Sequence, residues 1–338
     1  MGRVTVYGIG NPLTDVLADV EDAELRELSL QKGTMALIDD ETGETILRFL
    51  GDREKTYLSG GSCPNTINTL AALGVEATLS GCVGTDELGG IYTERLREDG
   101  VISDISAVDG ATGTSIVLVT PDAERTMNTR LGACRRYAPE NVNHRVVADA
   151  EILYFTGYMW DTEPQKAAIT AAMDTARRQN TTIVFDVADP MAVDRYREDF
   201  LHLIRQDADV ILANRREARM LLKDDEITAE DAAREFSRWC SLAAVKDGVR
   251  GSVLAVENEV FSIPAVPTET VDTTGAGDNY AAGLIFGLLR GEAPDVAGRR
   301  ASMVASGIVA QRGAQFRDRT RQQLHDAIHE PIQETTAV

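Results

Sequence analysis

The segment Val271-Asp272-Thr273-Thr274-Gly275-Ala276-Gly277-Asp278 combines residue types and spacing that could do chemistry. It opens an apolar run, Ala281, Ala282, Leu284, Ile285 and Leu288, at helical spacing. Small residues at a helix start let unpaired backbone N–H groups come close to an anion, and the helix dipole turns its positive end toward them. A transferring phosphoryl group suits such a cradle. Asp278 would gain nothing as a phosphate ligand, but it is placed to accept a hydroxyl proton beside developing negative charge. The bland alternative is a glycine-rich turn with an acidic cap, and a short motif alone does not separate the two.

Four further segments keep it company. They are Gly8-Ile9-Gly10-Asn11-Pro12-Leu13-Thr14-Asp15, Gly60-Gly61-Ser62-Cys63-Pro64-Asn65, Asn214-Arg215-Arg216-Glu217, and Val245-Lys246-Asp247-Gly248 ahead of Gly251. In this order, from about Val4 to about Phe316, the set resembles the signatures of the ribokinase-like (PfkB) kinase family. The resemblance implies transfer of the γ-phosphoryl group of ATP, with Mg2+, to an alcohol. By it, Asp278 would be the base and the amides of Gly275, Ala276 and Gly277 the anion hole. Asn214 and Glu217 would organise magnesium and its waters, with Lys246, Gly248 and Thr274 on the nucleotide side. Asn11, Asp15, Gly60, Gly61 and Asn65 would grip the acceptor. Asp272 with Thr274 would line a monovalent cation (K+) site seen in many relatives. Each residue also has a structural reading: Asn11 and Asp15 as turn and cap residues, Asn65 as a first-turn polar residue, Glu217 as a solvated helix-start carboxylate.

Thr112-Gly113-Thr114-Ser115 and Asp122-Ala123-Glu124-Arg125-Thr126-Met127-Asn128 resemble the adenosine-kinase branch, as does Gly10 to Asp15. That likeness implies a primary hydroxyl of a nucleoside as acceptor, the 5′-hydroxyl of adenosine foremost. Arg125 would reach from a lid toward the transferred phosphate, although it could equally pair with Asp122 or Glu124. Phe155, Tyr158 and Trp160 could supply stacking surface or simply core. A sugar kinase of the same family, for ribose, fructose or a keto sugar, is the alternative acceptor class. A nucleoside or sugar sensor without turnover is the alternative from outside enzymology.

These residues need a frame to hold them. Val4 to Gly8, Ala77 to Cys82, Ile152 to Thr156, Thr182 to Asp186, Val210 to Ala213 and Leu242 to Lys246 read as strands, each followed by a plausible helix. The alternation predicts an α/β fold with a mainly parallel sheet covered by helices on both faces. A helix is predicted from Ser62 as cap, with Pro64 in its first turn and Gly74 as its stop. Gly33 to Ile38 and a hairpin from Thr114 through Pro121-Asp122 to Thr129 stand outside the series and predict a small β-sheet lid. The reading is one ribokinase-like domain over 1–338, its lid drawn from about 13–59 and 111–131.

With 338 residues, 43% of them hydrophobic, the chain can bury a large core. A net charge of −20 argues against nucleic acid or an anionic membrane as partner, since both are polyanions. ATP is an anion too, so its attraction must be local. A saline cytoplasm and an ordinary acidic protein rich in arginine are both open readings of that charge. Cys63, Cys82, Cys134 and Cys240 lack metal-ligand spacing, and the histidines form no pair around them. No apolar run approaches the ~20 residues of a membrane span, and Met1-Gly2-Arg3 runs straight into a strand-like segment, so a cytoplasmic location is expected. A P-loop kinase is excluded because no Gly-Lys pair occurs. A dinucleotide fingerprint fails at Leu13, where its third glycine should stand. Monomer and homodimer are both open.

Overall fold

The computed structural model describes residues 5–122, 124–257 and 259–329. The start of the first predicted strand at Val4, the Met1 to Arg3 lead-in and Ala123 of the predicted hairpin lie outside the described residues. The strands are β1 (Val6–Ile9), β2 (Leu13–Asp19), β3 (Met35–Leu37), β4 (Thr56–Gly60), β5 (Ala77–Gly84), β6 (Ile102–Val108) and β7 (Thr114–Val119). They continue with β8 (Arg125–Arg130), β9 (Ile152–Thr156), β10 (Thr182–Asp186), β11 (Val210–Asn214), β12 (Leu242–Lys246), β13 (Ser252–Val256) and β14 (Glu259–Ile263).

Among the described residues, nine strands form the main sheet in the order β14-β13-β12-β11-β10-β9-β1-β5-β6. The seven from β11 and β12 across to β6 run parallel; β13 and β14 turn back antiparallel. Parallel strands buried on both faces need apolar residues at every position, and β5 and β9 are buried throughout. Two core clusters result, one on each face of the sheet. Phe155, Phe185, Phe200 and Trp160 lie in the first, and Ile67, Leu70, Leu284 and Ile285 in the second. The expected mainly parallel α/β architecture with a small second sheet is therefore present.

The expectation of a helix after each strand fails at two places. β1 leads into strand β2, and no α-helix follows β12: Gly248 and Gly251, both with positive φ, bound a single 3-10 turn, Gly248–Arg250, that leads the chain into β13. A Cβ on Gly251 would stand 2.0 Å from the Ile263 carbonyl oxygen, so only glycine lets the turn close against β14. Periodicity could not show this, because a strand pair and a short helix both begin after such a glycine.

The second sheet has the order β3-β8-β7-β2-β4, with β7 and β8 as the antiparallel hairpin and Val119 opposite Arg125. Its period-two alternation sorts the side chains. Ala18, Ile116 and Leu118 pack with Leu25, Ile46 and Leu50 from the helices Asp22–Glu27 and Asp40–Leu50. Leu13, Asp15, Ser115, Met127 and Thr129 occupy the opposite face, toward the main sheet.

The helix Ala276–Leu289 carries the Gly275 turn and is apolar nearly all round, as a buried helix must be. It approaches the helix Pro294–Val309 through Gly283 and Gly287. A Cβ on Gly283 would lie 2.7 Å from Ala301 Cα and 2.9 Å from the Arg300 carbonyl oxygen. Helix propensity favours alanine over glycine by about 1 kcal/mol. Overpacking against backbone costs about 1–3 kcal/mol and should win. Gly283→Ala is therefore expected to lower the denaturant midpoint of unfolding; a raised midpoint would show that the helices part without penalty.

Candidate active site

The carboxyl ends of the parallel strands deliver most of the candidate residues to one place, as open α/β sheets generally do. Asn11 follows β1, Tyr158 follows β9, Asp189 follows β10, Asn214 ends β11 and Lys246 ends β12. Between them and the small sheet lies a cavity of about 930 Å³. Asn11, Asp15, Gly61, Asn65, Asn214, Glu217, Lys246, Gly248, Thr274, Gly275, Ala276, Gly277 and Asp278 all line it. Gly60, Arg125 and Asp272 are outside that lining.

At the Gly275 turn, φ is +75° and a Cβ would meet Ala314 Cβ at 2.6 Å, so glycine is required twice over. Among the described residues, the N–H groups of Gly275, Gly277 and Asp278 have no protein partner, while that of Ala276 donates to the Thr273 carbonyl at 3.2 Å. The set of free donors thus differs by one member from the expected trio: Ala276 closes the turn, and Asp278's own amide takes its place at the helix start. Lys246 stands beside this cradle, 3.3 Å from where a Cβ on Gly277 would be.

Asp278 is gripped from the neighbouring helix Ser62–Ala72. Ser62 Oγ donates to Oδ1 at 2.6 Å and Asn65 Nδ2 to Oδ2 at 2.9 Å. Ser62 is not the predicted cap: Gly61 holds that position without a side-chain bond, which frees the Ser62 hydroxyl for Asp278. Ser62, Asn65, Thr66 and Thr69 form a polar stripe at helical spacing that meets Asp278 and Asn279. Burial pushes the Asp278 carboxyl up to about 6; the two hydrogen bonds and Lys246 hold it down, and Asp186 adds to the rise. A carboxylate with that affinity for protons is ionised near neutral pH yet basic enough to draw a proton from an alcohol.

At the end of β11, Asn214 caps its helix by accepting from the Glu217 amide at 2.9 Å, and Glu217 accepts in return from the Asn214 amide at 2.7 Å. Glu217 is buried, which lifts its carboxyl to about 7 despite Lys246 nearby. Lys246 pairs with Asp186 at 3.1 Å. Burial works against its charge, but Asp186 and Glu217 keep the ammonium protonated. Asp186, at the end of a predicted strand, carried no motif that would have marked it.

The end of the cavity that faces the small sheet combines polar and apolar surface. Asn11 Oδ1 accepts from buried Gln165 at 2.8 Å, an interaction invisible in sequence because 154 residues separate them. Gly60 packs so closely on Asp15 that a Cβ would lie 2.5 Å from its carboxylate, and a Cβ on Gly61 would meet the Asn11 carbonyl at 2.2 Å. Leu13, Leu37, Met127 and Leu131 complete the wall. Of the three aromatics, Phe155 and Trp160 are core; Tyr158 alone reaches the cavity, with its hydroxyl on Asp189 at 3.1 Å.

Arg125 reaches across from the small sheet, but to Asp272, at 2.7 Å, rather than to Asp122, Glu124 or the cradle. Asp272 also accepts from the Gly313 amide at 2.8 Å and from the Thr274 amide and hydroxyl at 3.0 and 2.7 Å. Four donors fill the four lone-pair positions of a carboxylate, so the cation Asp272 holds is Arg125, and we assign it no potassium. Among the described residues no cluster of metal-ligating side chains occurs, and no helix is long and apolar enough to cross a membrane.

The sequence profile of the pfkB family carbohydrate kinases matches residues 46–321. The chain belongs to this family. The pfkB-family chain is 30% identical over 250 residues to the 5-dehydro-2-deoxygluconokinase of Geobacillus kaustophilus, covering 69% of this chain and 73% of that one. Its structure is similar to that of a probable sugar kinase from Rhizobium etli, with TM-score 0.86, 34% identity and coverage of 97% and 99%. It is equally similar to the adenosine kinase of Sinorhizobium meliloti, with TM-score 0.85, 35% identity and coverage of 96% and 100%. It is thus a carbohydrate or nucleoside kinase of the pfkB family.

Asp15 offers a test of the site's electrostatics. Asp15 is half-buried at the cavity wall, and the desolvation there raises its carboxyl from 3.8 to about 7 against the pull of Arg317 and Arg125. Below about pH 4 the folded and unfolded chains both carry the proton. As pH rises toward 7 only the unfolded chain releases it, so the group subtracts stability from the folded state and the full loss holds above 7. Asp15→Asn removes that loss. Its melting temperature should exceed the wild type's at pH 8 and converge with it near pH 4; an equal difference at both would exclude titration of Asp15 as the cause.

Proposed function

We propose that this kinase moves the γ-phosphoryl group of ATP to the 5′-hydroxyl of adenosine or a closely related nucleoside. The observation that carries the choice of acceptor is the wall formed by Leu13, Leu37, Met127 and Leu131 around Asp15. A sugar alone would occupy the polar part at Asn11, Asp15 and Asn65. Leu37 remains 47% exposed beside it, an apolar surface that a flat base would cover. The likeness to an adenosine kinase over nearly the whole of both chains supports the same choice. A sugar acceptor is the second reading, favoured by the likeness to 5-dehydro-2-deoxygluconokinase and by Arg195 and Asp161 in the lining, which suit a more polar ligand. A sensor without turnover would have no use for a desolvated base at Asp278.

The acceptor lies between the small sheet and the main sheet, with ATP along the strand ends past Gly275. Asn11, Asp15 and Asn65 orient the sugar hydroxyls. Asp278 takes the proton as the acceptor oxygen bonds to the γ-phosphorus and the bond from that phosphorus to the β–γ bridging oxygen breaks to release ADP, and the free amides of Gly275, Gly277 and Asp278 receive the charge that grows on the phosphoryl oxygens. Lys246 adds a fixed cation beside them. The small sheet acts as a lid that keeps water from competing with the intended hydroxyl. Magnesium fits the nucleotide end, where Glu217 is influenced by Asp186 and Asp189 with Lys246 as the nearby cation, an acidic excess that a hydrated divalent ion would balance. Glu217 would hold its waters, and the ion, when bound, would neutralise phosphate charge.

Asp278→Ala should lower kcat by roughly 10²–10⁴-fold with the fold intact, the range for loss of a general base. The companion measurement is ATP turnover against a panel of nucleosides and sugars. Strong turnover of ribose or fructose with none of adenosine would overturn the choice of acceptor, and near-normal turnover by the alanine variant would remove Asp278 as base.

A further inference from the structure

Behind Asp278 and Asn65 runs a buried hydrogen-bond chain whose outer members, Gln315, Ser59 and Arg317, the proposed mechanism does not use. Arg317 donates from Nη2 to Gln315 Oε1 at 2.8 Å, and Ser59 Oγ donates to the same oxygen at 3.1 Å. Gln315 Nε2 donates to Asn65 Oδ1 at 3.1 Å, and Asn65 Nδ2 donates to Asp278 Oδ2 at 2.9 Å. Ser59, Gln315 and Asn65 are all at least nine-tenths buried. The direction of this chain follows from one fact: a guanidinium only donates. The Gln315 atom facing Arg317 must therefore be oxygen, which turns its NH2 group onto Asn65. Asn65 must then answer with its oxygen, which turns its own NH2 group onto Asp278.

We propose that Gln315 is a positioning residue for the phosphoryl-transfer reaction: through the fixed orientation of Asn65 it keeps a hydrogen-bond donor on the base. The inference deepens the assignment of Asp278 as base and rests on it. Its function is to hold Asp278 ionised and aimed, while the second hydrogen of Asn65 Nδ2 is left for an acceptor hydroxyl. Ser59 lies in β4, so the chain also joins the small sheet to the base. Without that enforced direction Asn65 could rotate and present its oxygen to the carboxylate, an acceptor against an acceptor.

Gln315→Glu tests this with almost no change of shape. The new carboxylate keeps Arg317 and Ser59 but can no longer donate to Asn65. The Asn65 amide is then expected to turn round, leaving Asp278 without that donor. In the wild type the other groups around Asp278 are Asp186 and Lys246 from the sheet ends, Cys63 from its neighbouring helix, and Tyr154 and Tyr158 from β9 and the turn after it. None of them changes. The expected result is a kcat lower by roughly 10–100-fold, the range for losing an outer partner of a functional group. The KM for the acceptor should rise as well, because the turned Asn65 no longer offers its second hydrogen to the acceptor hydroxyl, and the acid limb of the kcat–pH profile should move up by roughly one pH unit. Titration of the Asp278 carboxyl, followed by 13C NMR, should move by the same amount.

Asn65→Leu separates relay from simple charge. If Gln315 acts through Asn65, adding Gln315→Glu to Asn65→Leu should move the carboxyl titration little further; an equal shift in both backgrounds would overturn the relay. Unchanged kcat and titration in Gln315→Glu would overturn it as well. Should that variant fail to fold, Gln315→Met removes the donor without adding charge and must shift the titration in the same direction. Because NMR reads Asp278 without turnover, the relay can fail while Asp278→Ala still abolishes activity, or survive if Asp278 proves not to be the base.

Discussion

The structure is organised around one electrostatic problem: an acidic chain must hold a polyphosphate and a carboxylate within a few ångströms of each other. The solution is the start of the helix Ala276–Leu289. Free amides at Gly275, Gly277 and Asp278 present positive charge without adding a mobile cation, and they are fixed by the fold before any ligand arrives. The left-handed φ of Gly275 and its close contact with Ala314 set the turn. The close packing of Gly283 and Gly287 on the next helix sets where the turn stands relative to the sheet.

The neighbouring charges show the tension in that solution. Asp278, Glu217 and Asp15 are all held above the ordinary carboxylate range by burial, so each detracts from stability near neutral pH. Lys246 is shared between Asp186 and Glu217 and balances only part of this acidity. Function-bearing sites often store such strain, and here the surrounding hydrogen bonds hold it in place: Ser62 and Asn65 on Asp278, and the reciprocal cap of Asn214 and Glu217. The pair Arg125 and Asp272 ties the small sheet to the segment before the cradle, and four donors saturate that aspartate.

Much of this was legible in the residue order. The strands from Ala77 to Lys246 and the apolar helix after Asp278 follow from periodicity, because local burial on both faces imposes a local pattern. The glycines at 60, 61, 275 and 277 were visible as places where backbone must come close to something. What that something was could not be read: for Gly60 it is the Asp15 carboxylate, and for Gly61 the Asn11 carbonyl. Ser62 was legible as a helix-start residue but not as a partner of Asp278, since a serine at a helix start serves its own backbone or a distant acceptor with equal ease. Gln165 behind Asn11 and Gln315 behind Asn65 left no trace, each being one polar residue in an unremarkable stretch.

By itself, then, the order of residues determined the alternating α/β frame, the helix whose start can cradle an anion, and the set of motifs that marks a kinase of the pfkB family. These are properties of segments, carried by spacing and by the backbone freedom of glycine, and they survive without knowledge of neighbours. Only the tertiary structure decided which amide closes the Gly275 turn, which cation Asp272 holds, and which aromatic reaches the cavity. Those outcomes depend on contacts between residues as far apart as 147 and 216 positions, where Arg125 meets Asp272 and Ser62 meets Asp278. Hydrogen-bond direction and burial are settled only when distant groups compete for the same atoms.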